Sequence, residues 1–299
     1  MRLVEGVEVL WLPGSRVQLG VDGGAVRLEG LRPRQLHCLE SMTRVHVDPG
    51  RAAQRLGPAL LARLRRAGLL VSGTDTALPG PSLAVEQGLR RGGLPLGRVA
   101  QRHLDVVSVW GQAGLVNPVV EALSQARVGN LLTPQNASGA GLTDAEFAQV
   151  PSAQLAIVLG RHLVDWWTCE QLLRSDQVFL PVEVGDDSLR VGPLVVPGSS
   201  PCYRCLHLAR LDQDPDWAVV ACQLASQRLP APPAQVTALT AAVVTQVALT
   251  FITWPTSPKP GQLANQVLEW TLDAPLPHTR AVAPHPQCGC GATGKFWVA

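Results

Sequence analysis

Pro201-Cys202-Tyr203-Arg204-Cys205 and His285-Pro286-Gln287-Cys288-Gly289-Cys290 decide how this chain of 299 residues is read. A Cys-x-x-Cys and a Cys-x-Cys, about eighty residues apart, put four thiols on two short turns. That is the ligand set of a closed tetrahedral zinc site, since within each pair both sulfurs can reach one ion at about 2.3 Å. An ion held there clips the C-terminal stretch to the middle of the chain and closes a long loop. Four sulfur ligands leave no open coordination position, so the predicted zinc is scaffolding. Three other readings stand beside it: a redox pair at Cys202 and Cys205, a disulfide, and four unrelated core thiols. Arg204 and a surrounding pattern unlike a thioredoxin weigh against the redox pair. No charged head and apolar run opens the chain, which weighs against secretion and disulfides and favours a cytoplasmic protein.

Around these turns, runs of strand and helix pattern alternate. Residues 106–110, 155–159 and 178–184 are β-branched or apolar runs; 131–132 is a weaker strand signal, and 191–197 and 267–272 read as later strands. Residues 115–126 and 165–175 read as helices between them. Such alternation predicts an α/β domain with an open, largely parallel sheet and right-handed crossovers. Residues 236–254 carry no charge and form the chain's one membrane candidate. Five threonines and Gln246 dilute that stretch, and prolines bracket it, so an internal helix is expected. Cys38, Cys169 and Cys222 sit in apolar helical surroundings and are expected in the core.

The N-terminal stretch has a different grammar. Residues 7–12, 16–21 and 25–30 read as short strands, with Asp22-Gly23-Gly24 as a hairpin turn. Residues 34–42 and 50–67 read as helices, the second with Leu56, Leu60, Leu61 and Leu64 on one stripe. Three strands and helices in about seventy residues outline a winged-helix module. Three uses are open to it: a passive cap, a DNA binder, or a sheet edge that captures a peptide as an added strand. A net charge of +2 over the whole chain gives little support to nucleic acid or an anionic membrane. A Pro- and Gly-rich stretch, residues 76–97, reads as a linker, giving domains at 1–75 and 98–299.

The turn Gly111-Gln112-Ala113-Gly114-Leu115-Val116, between a strand and a helix, is where a nucleotide fold would cradle phosphates. Ala113 and Val116 stand where backbone must approach a pyrophosphate, so Gly111 and Gly114 are the remnant of a degenerate loop. No acidic residue lies between Glu121 and Asp144 to take a ribose hydroxyl, and the first lysine is Lys259. These absences argue against ATP. His103, His162 and His207 have no nucleophile at a predictable spacing, and residues 212–217 read as a capping turn rather than an acidic site. No catalytic residue is assigned.

Val191-Gly192-Pro193-Leu194-Val195-Val196-Pro197-Gly198, the Cys202/Cys205 turn, the Asp214-Pro215-Asp216-Trp217 segment and the Cys288/Cys290 turn together resemble the ThiF-type, ubiquitin-activating-enzyme-like fold. More narrowly the chain resembles the ThiF-like leader-peptide-binding proteins that accompany YcaO cyclodehydratases in azole-forming peptide biosynthesis. Its N-terminal module is similar to the PqqD-like recognition element of those pathways. The resemblance implies zinc at Cys202, Cys205, Cys288 and Cys290. It also implies a precursor leader held between the strand near Val26 and Leu28 and the helix near Leu60 and Leu64. A separate YcaO enzyme would do the ATP chemistry, and a homodimer is the family-like expectation. Active ThiF-type enzymes adenylate a carboxylate with ATP, which is the alternative function.

Overall fold

The computed structural model describes residues 1–3, 7–21, 25–71, 101–134, 142–227, 229–253, 263–274 and 276–294. These divide into two compact units, Met1–Gln101 and Arg102–Ala299. The expected linker, residues 76–97, and the expected turn Asp22-Gly23-Gly24 lie outside the described residues.

In the first unit, β1 (Arg2–Leu3) precedes a three-stranded antiparallel sheet of β2 (Val9–Leu12), β3 (Arg16–Leu19) and β4 (Val26–Leu28), in that order. Three helices follow: α1 (Pro33–Arg44), α2 (Pro49–Leu56) and α3 (Pro58–Arg66). β5 (Leu70–Val71) returns to pair with β1. Alternation in β3 buries Val17 and Leu19 against Cys38, Leu39 and Met42 of α1 and against Leu56, Leu61 and Leu64, which closes a core within this unit. The single helix expected over residues 50–67 is two helices. Pro58 disfavours helical backbone in the residue before it, and Gly57 turns the corner with φ at +81°.

The second unit is built on a seven-stranded mixed sheet. Its parallel half is β6 (Val106–Trp110), β7 (Asn130–Leu132), β8 (Leu155–Arg161) and β9 (Phe179–Val184). β10 (Ser188–Val191), β11 (Gln266–Thr271) and β12 (His278–Ala281) extend it antiparallel, giving the order β12-β11-β10-β9-β8-β6-β7. This is a Rossmann-like architecture. α4 (Ala113–Gln125) and α9 (Ala234–Thr253) cover one face. On the other lie α5 (Asp144–Phe147), α6 (Trp166–Arg174) and α7 (Tyr203–Gln213), with α8 (Trp217–Ser226) following α7. The strand expected at 191–197 ends at Val191; beyond it only Val195 bridges to Phe179.

α9 is long and apolar enough to cross a membrane by length and composition. In this fold it lies on the sheet, with Val236, Thr240, Val244, Ala248 and Ile252 forming one buried stripe at four-residue spacing. Each large apolar side chain in that stripe contributes about 1.5–3 kcal/mol by leaving water. Cys38 and Cys169 are buried as expected, but Cys222 is exposed. It sits on α8, which is apolar apart from Gln223 and Ser226 and buries none of its residues. An apolar helix was read as an internal one; the exposure of Val219 and Val220 on the same helix shows that the described residues do not cover it.

Candidate metal centre

The N-terminus of α7 and a turn that follows β12 carry the four cysteines. Cys202 is the N-cap of α7 and Cys205 lies in its first turn, both buried. The tail is fastened opposite them by main-chain bonds: Val282 N–H to Asn265 O, Thr293 N–H to Gly198 O and Gly294 N–H to Ser199 O. His285 orders the second turn. Its Nδ1 accepts the Gln287 N–H at 3.2 Å, its carbonyl accepts the Cys288 N–H at 2.9 Å, and its Nε2 meets Asp212 of α7 at 2.9 Å. Nδ1 being the acceptor places the ring proton on Nε2, so His285 donates to Asp212.

Sγ of Cys202 and Sγ of Cys288 are 3.6 Å apart, as are those of Cys205 and Cys290, while Cys202 and Cys205 stand at 3.9 Å. All four sulfurs lie within 4.8 Å of one another. Tetrahedral zinc with bonds of about 2.3 Å requires sulfurs about 3.8 Å apart, so the donor set fits such an ion. The thiol hydrogen bond from Cys202 holds Cys205 down to about 4 and pushes Cys202 upward; burial raises Cys288 to about 11. Main-chain amides of Cys205, His285 and Cys290 also point at the sulfurs of Cys202, Cys205 and Cys288. Four packed sulfurs cannot all ionise against one another unless a cation supplies the opposing charge. Cys202, Cys205, Cys288 and Cys290 would hold that cation and leave it no site for a reactant. A cavity of about 80 Å³, walled by Trp166, Leu173, Phe179 and Tyr203, opens on the cluster and offers an entry path. All seven cysteines are free thiols, so no disulfide links the turns. Convergence of four sulfurs also leaves the reading as unrelated core thiols without support.

Beside the centre lies a charge cluster that sequence reading missed. Glu183 of β9 is 3% exposed. Arg210 of α7 grips both its oxygens at 2.9 and 2.6 Å, and the Tyr203 hydroxyl donates to it at 2.8 Å. His207 accepts the Trp217 indole N–H on Nδ1 at 3.0 Å and turns Nε2 towards Glu183 at 4.0 Å. Burial pulls His207 down to about 4. His207 is thus built into this network as a neutral ring. Residues 212–217 span the end of α7, a turn at Asp214–Asp216 and the start of α8, and in the turn Asp214 accepts the Asp216 N–H.

At the carboxyl end of the parallel strands, Gly111 has φ at +135° and a Cβ there would overlap the Leu159 carbonyl oxygen. Gly114 lies in the first turn of α4 with open space around it. Across from this turn Arg161 is 7% exposed; it donates to the carbonyls of Val184, Gly185 and Pro230 and to the carboxylate of Asp186. His162 Nε2 also lies 3.5 Å from Asp186. The Arg161 hydrogen bond holds the Asp186 carboxyl below the ordinary range. In the first unit, Leu28 and Leu64 are core residues, whereas Val26 and Leu60 are half-buried at its margin.

An open mixed α/β sheet with a tail clipped across it defines the class of fold. No family model matches the sequence, and no curated protein does. Among solved structures the chain is similar to the microcin C7 biosynthetic enzyme MccB in complex with N-formylated MccA, at 16% identity over 97% of this chain and 99% of that one, TM-score 0.65. It is similar to E. coli MccB with ATP at 16% identity over 97% of this chain and 98% of that one, TM-score 0.65. It is also similar to the heterocyclase TruD, at 18% identity and TM-score 0.67, with 97% of this chain matched to 42% of that one. At these identities the likeness is one of fold.

Proposed function

We propose that this protein captures the leader of a ribosomally made precursor peptide and presents the peptide to a YcaO-type cyclodehydratase, without ATP chemistry of its own. Under this reading the first unit is a PqqD-like winged-helix module, and the second is a ThiF-like domain whose zinc is structural. The two structures named for MccB with MccA and for the heterocyclase TruD motivate the choice of a peptide substrate. The observation that carries the non-catalytic part is Arg161. Open α/β sheets bind their ligands outside the carboxyl ends of the strands. There the buried guanidinium of Arg161 is already engaged by three carbonyls and by Asp186, so the cation is committed within the protein and not presented to a nucleotide. A homodimer is the proposed assembly.

A second reading has its own support. The chain matches E. coli MccB with ATP over 97% of its length, which favours an adenylyltransferase that activates a peptide carboxylate. Pyrophosphate exchange by the isolated protein separates the two. Presentation without ATP chemistry requires no exchange above background with magnesium-ATP and a precursor peptide. Robust exchange, or tight magnesium-nucleotide uptake by calorimetry, overturns it in favour of adenylation.

A further inference from the structure

The free edge of the N-terminal sheet has a definable hydrogen-bond phase. Gly20 N–H donates to Glu8 O at 2.8 Å, and the register sets Leu19 opposite Val9. Gly20 and Glu8 are therefore a hydrogen-bonded pair, and by alternation so are Gln18 and Leu10. That phase turns the main-chain groups of Val17 and Leu19 the other way, towards their partners Leu28 and Val26. Arg27, between those two, presents its N–H and its carbonyl to the outer side of β4. Among the described residues β4 pairs with β3 alone, so this is an unpaired edge.

The outward carbonyl is already taken. Arg63 of α3 donates from Nη2 to Arg27 O at 2.7 Å, while the Arg27 side chain is tied back to Gln18 Oε1 at 2.8 Å. Arg63 is exposed and lies in the last turn of α3 with Arg65 and Arg66. Residues 1–71 hold eleven arginines against six acidic residues, although the whole chain carries only +2. Positive charge is thus concentrated in this unit, and Arg63 sits where it meets the unpaired strand.

We propose that Arg63 is a latch on the β4 edge, and that the peptide which opens it is acidic. The proposal rests on the reading of this unit as a peptide-capturing module. An incoming strand takes the Arg27 carbonyl with its own N–H and so displaces the guanidinium. One exposed hydrogen bond, made in competition with water, contributes little enough to be exchanged. The released guanidinium then stands among other cations beside a strand that excludes water, and a carboxylate on the peptide satisfies it with a charge-assisted bond. A neutral peptide displaces the latch with nothing to compensate it. Arg63 accordingly sets both the resting state of the edge and its preference for acidic sequences.

The test selects extended twelve-residue peptides from a random displayed library on the full-length protein, then compares each acidic binder with its Glu-to-Gln counterpart. Wild type is expected to favour the acidic form about fivefold, as for a partly screened ion pair. Arg63→Gln should weaken the acidic form by a similar factor while binding the neutral form at least as well, and Arg63→Lys should keep the preference. The Arg27 amide, followed by hydrogen exchange, should slow in every productive complex. If peptides protect Arg27 but Arg63→Gln leaves the acidic preference intact, the latch is wrong and peptide capture stands. If no peptide is selected, or binders leave Arg27 exchange unchanged, capture at this edge is itself wrong and takes the latch with it.

Discussion

Glu183 is a carboxylate enclosed in the second unit, and what surrounds it determines its charge. Burial pushes its carboxyl up, but the bidentate hydrogen bond and charge of Arg210, with the Tyr203 hydroxyl, outweigh burial and hold it below the ordinary carboxylate range. A group whose folded value is depressed contributes stability above its unfolded value and loses it as pH falls through the folded one. Wild-type stability should therefore decline as pH drops below the usual range for a glutamate. Glu183→Gln should flatten part of that acid limb in urea titrations run between pH 7 and pH 3; an unchanged slope would count against the ion pair as its source. Glu183→Ala goes further at neutral pH, because Arg210 remains with 14% of its side chain exposed and no carboxylate in its grip, only the Trp217 ring 5.1 Å away. Stranding a buried charge costs about 3–5 kcal/mol. None of this was legible in the sequence, because Glu183 and Arg210 are brought together only when α7 packs on β9. The cysteines were legible because each pair is local, so that spacing alone brings two sulfurs to one ion.

At the scale of elements, the corner between α2 and α3 shows how a continuous apolar stripe can hide a break. Leu56, Leu60, Leu61 and Leu64 fit one helical face, yet Gly57-Pro58 interrupts it, and both residues carried that signal in the sequence. A Cβ on Gly57 would meet nothing within 4 Å, so the demand at this position is purely conformational. Gly57→Ala should destabilise the first unit by about 1–3 kcal/mol, the cost of holding an L-residue at φ +81° and ψ 158°, a region essentially reserved for glycine. Thermal unfolding of the full chain measures it; an unchanged first unit would mean the corner relaxes into continuous helix. α8 misled in the opposite direction. Its apolar composition read as core, whereas burial is decided by what packs on a helix and not by its composition. The edge at Arg27 was equally hidden, since which way a strand points its amides depends on the pairing phase of β2, β3 and β4.

At the scale of the molecule, two units with separate cores share one chain, and all four candidate ligands lie in the second. The antiparallel extension β10-β11-β12 is completed by the last described strand, and the tail beyond it returns to the loop ahead of α7 through Thr293 and Gly294. A metal at the cysteines would hold that return from the other side, tying α7 to the tail across about eighty residues of intervening chain. Binding to the folded state alone stabilises it in proportion to the logarithm of metal saturation, so removing the ion should loosen what the ion fastens. Hydrogen exchange of the full chain with and without a strong zinc chelator tests this region by region. Amides of residues 202–206 and 278–294 should exchange faster after chelation, while those of Leu19, Leu39 and Leu64 in the first core should not change. Uniform acceleration across both units would show that the ion supports the whole chain, and no acceleration anywhere would remove it from the fold.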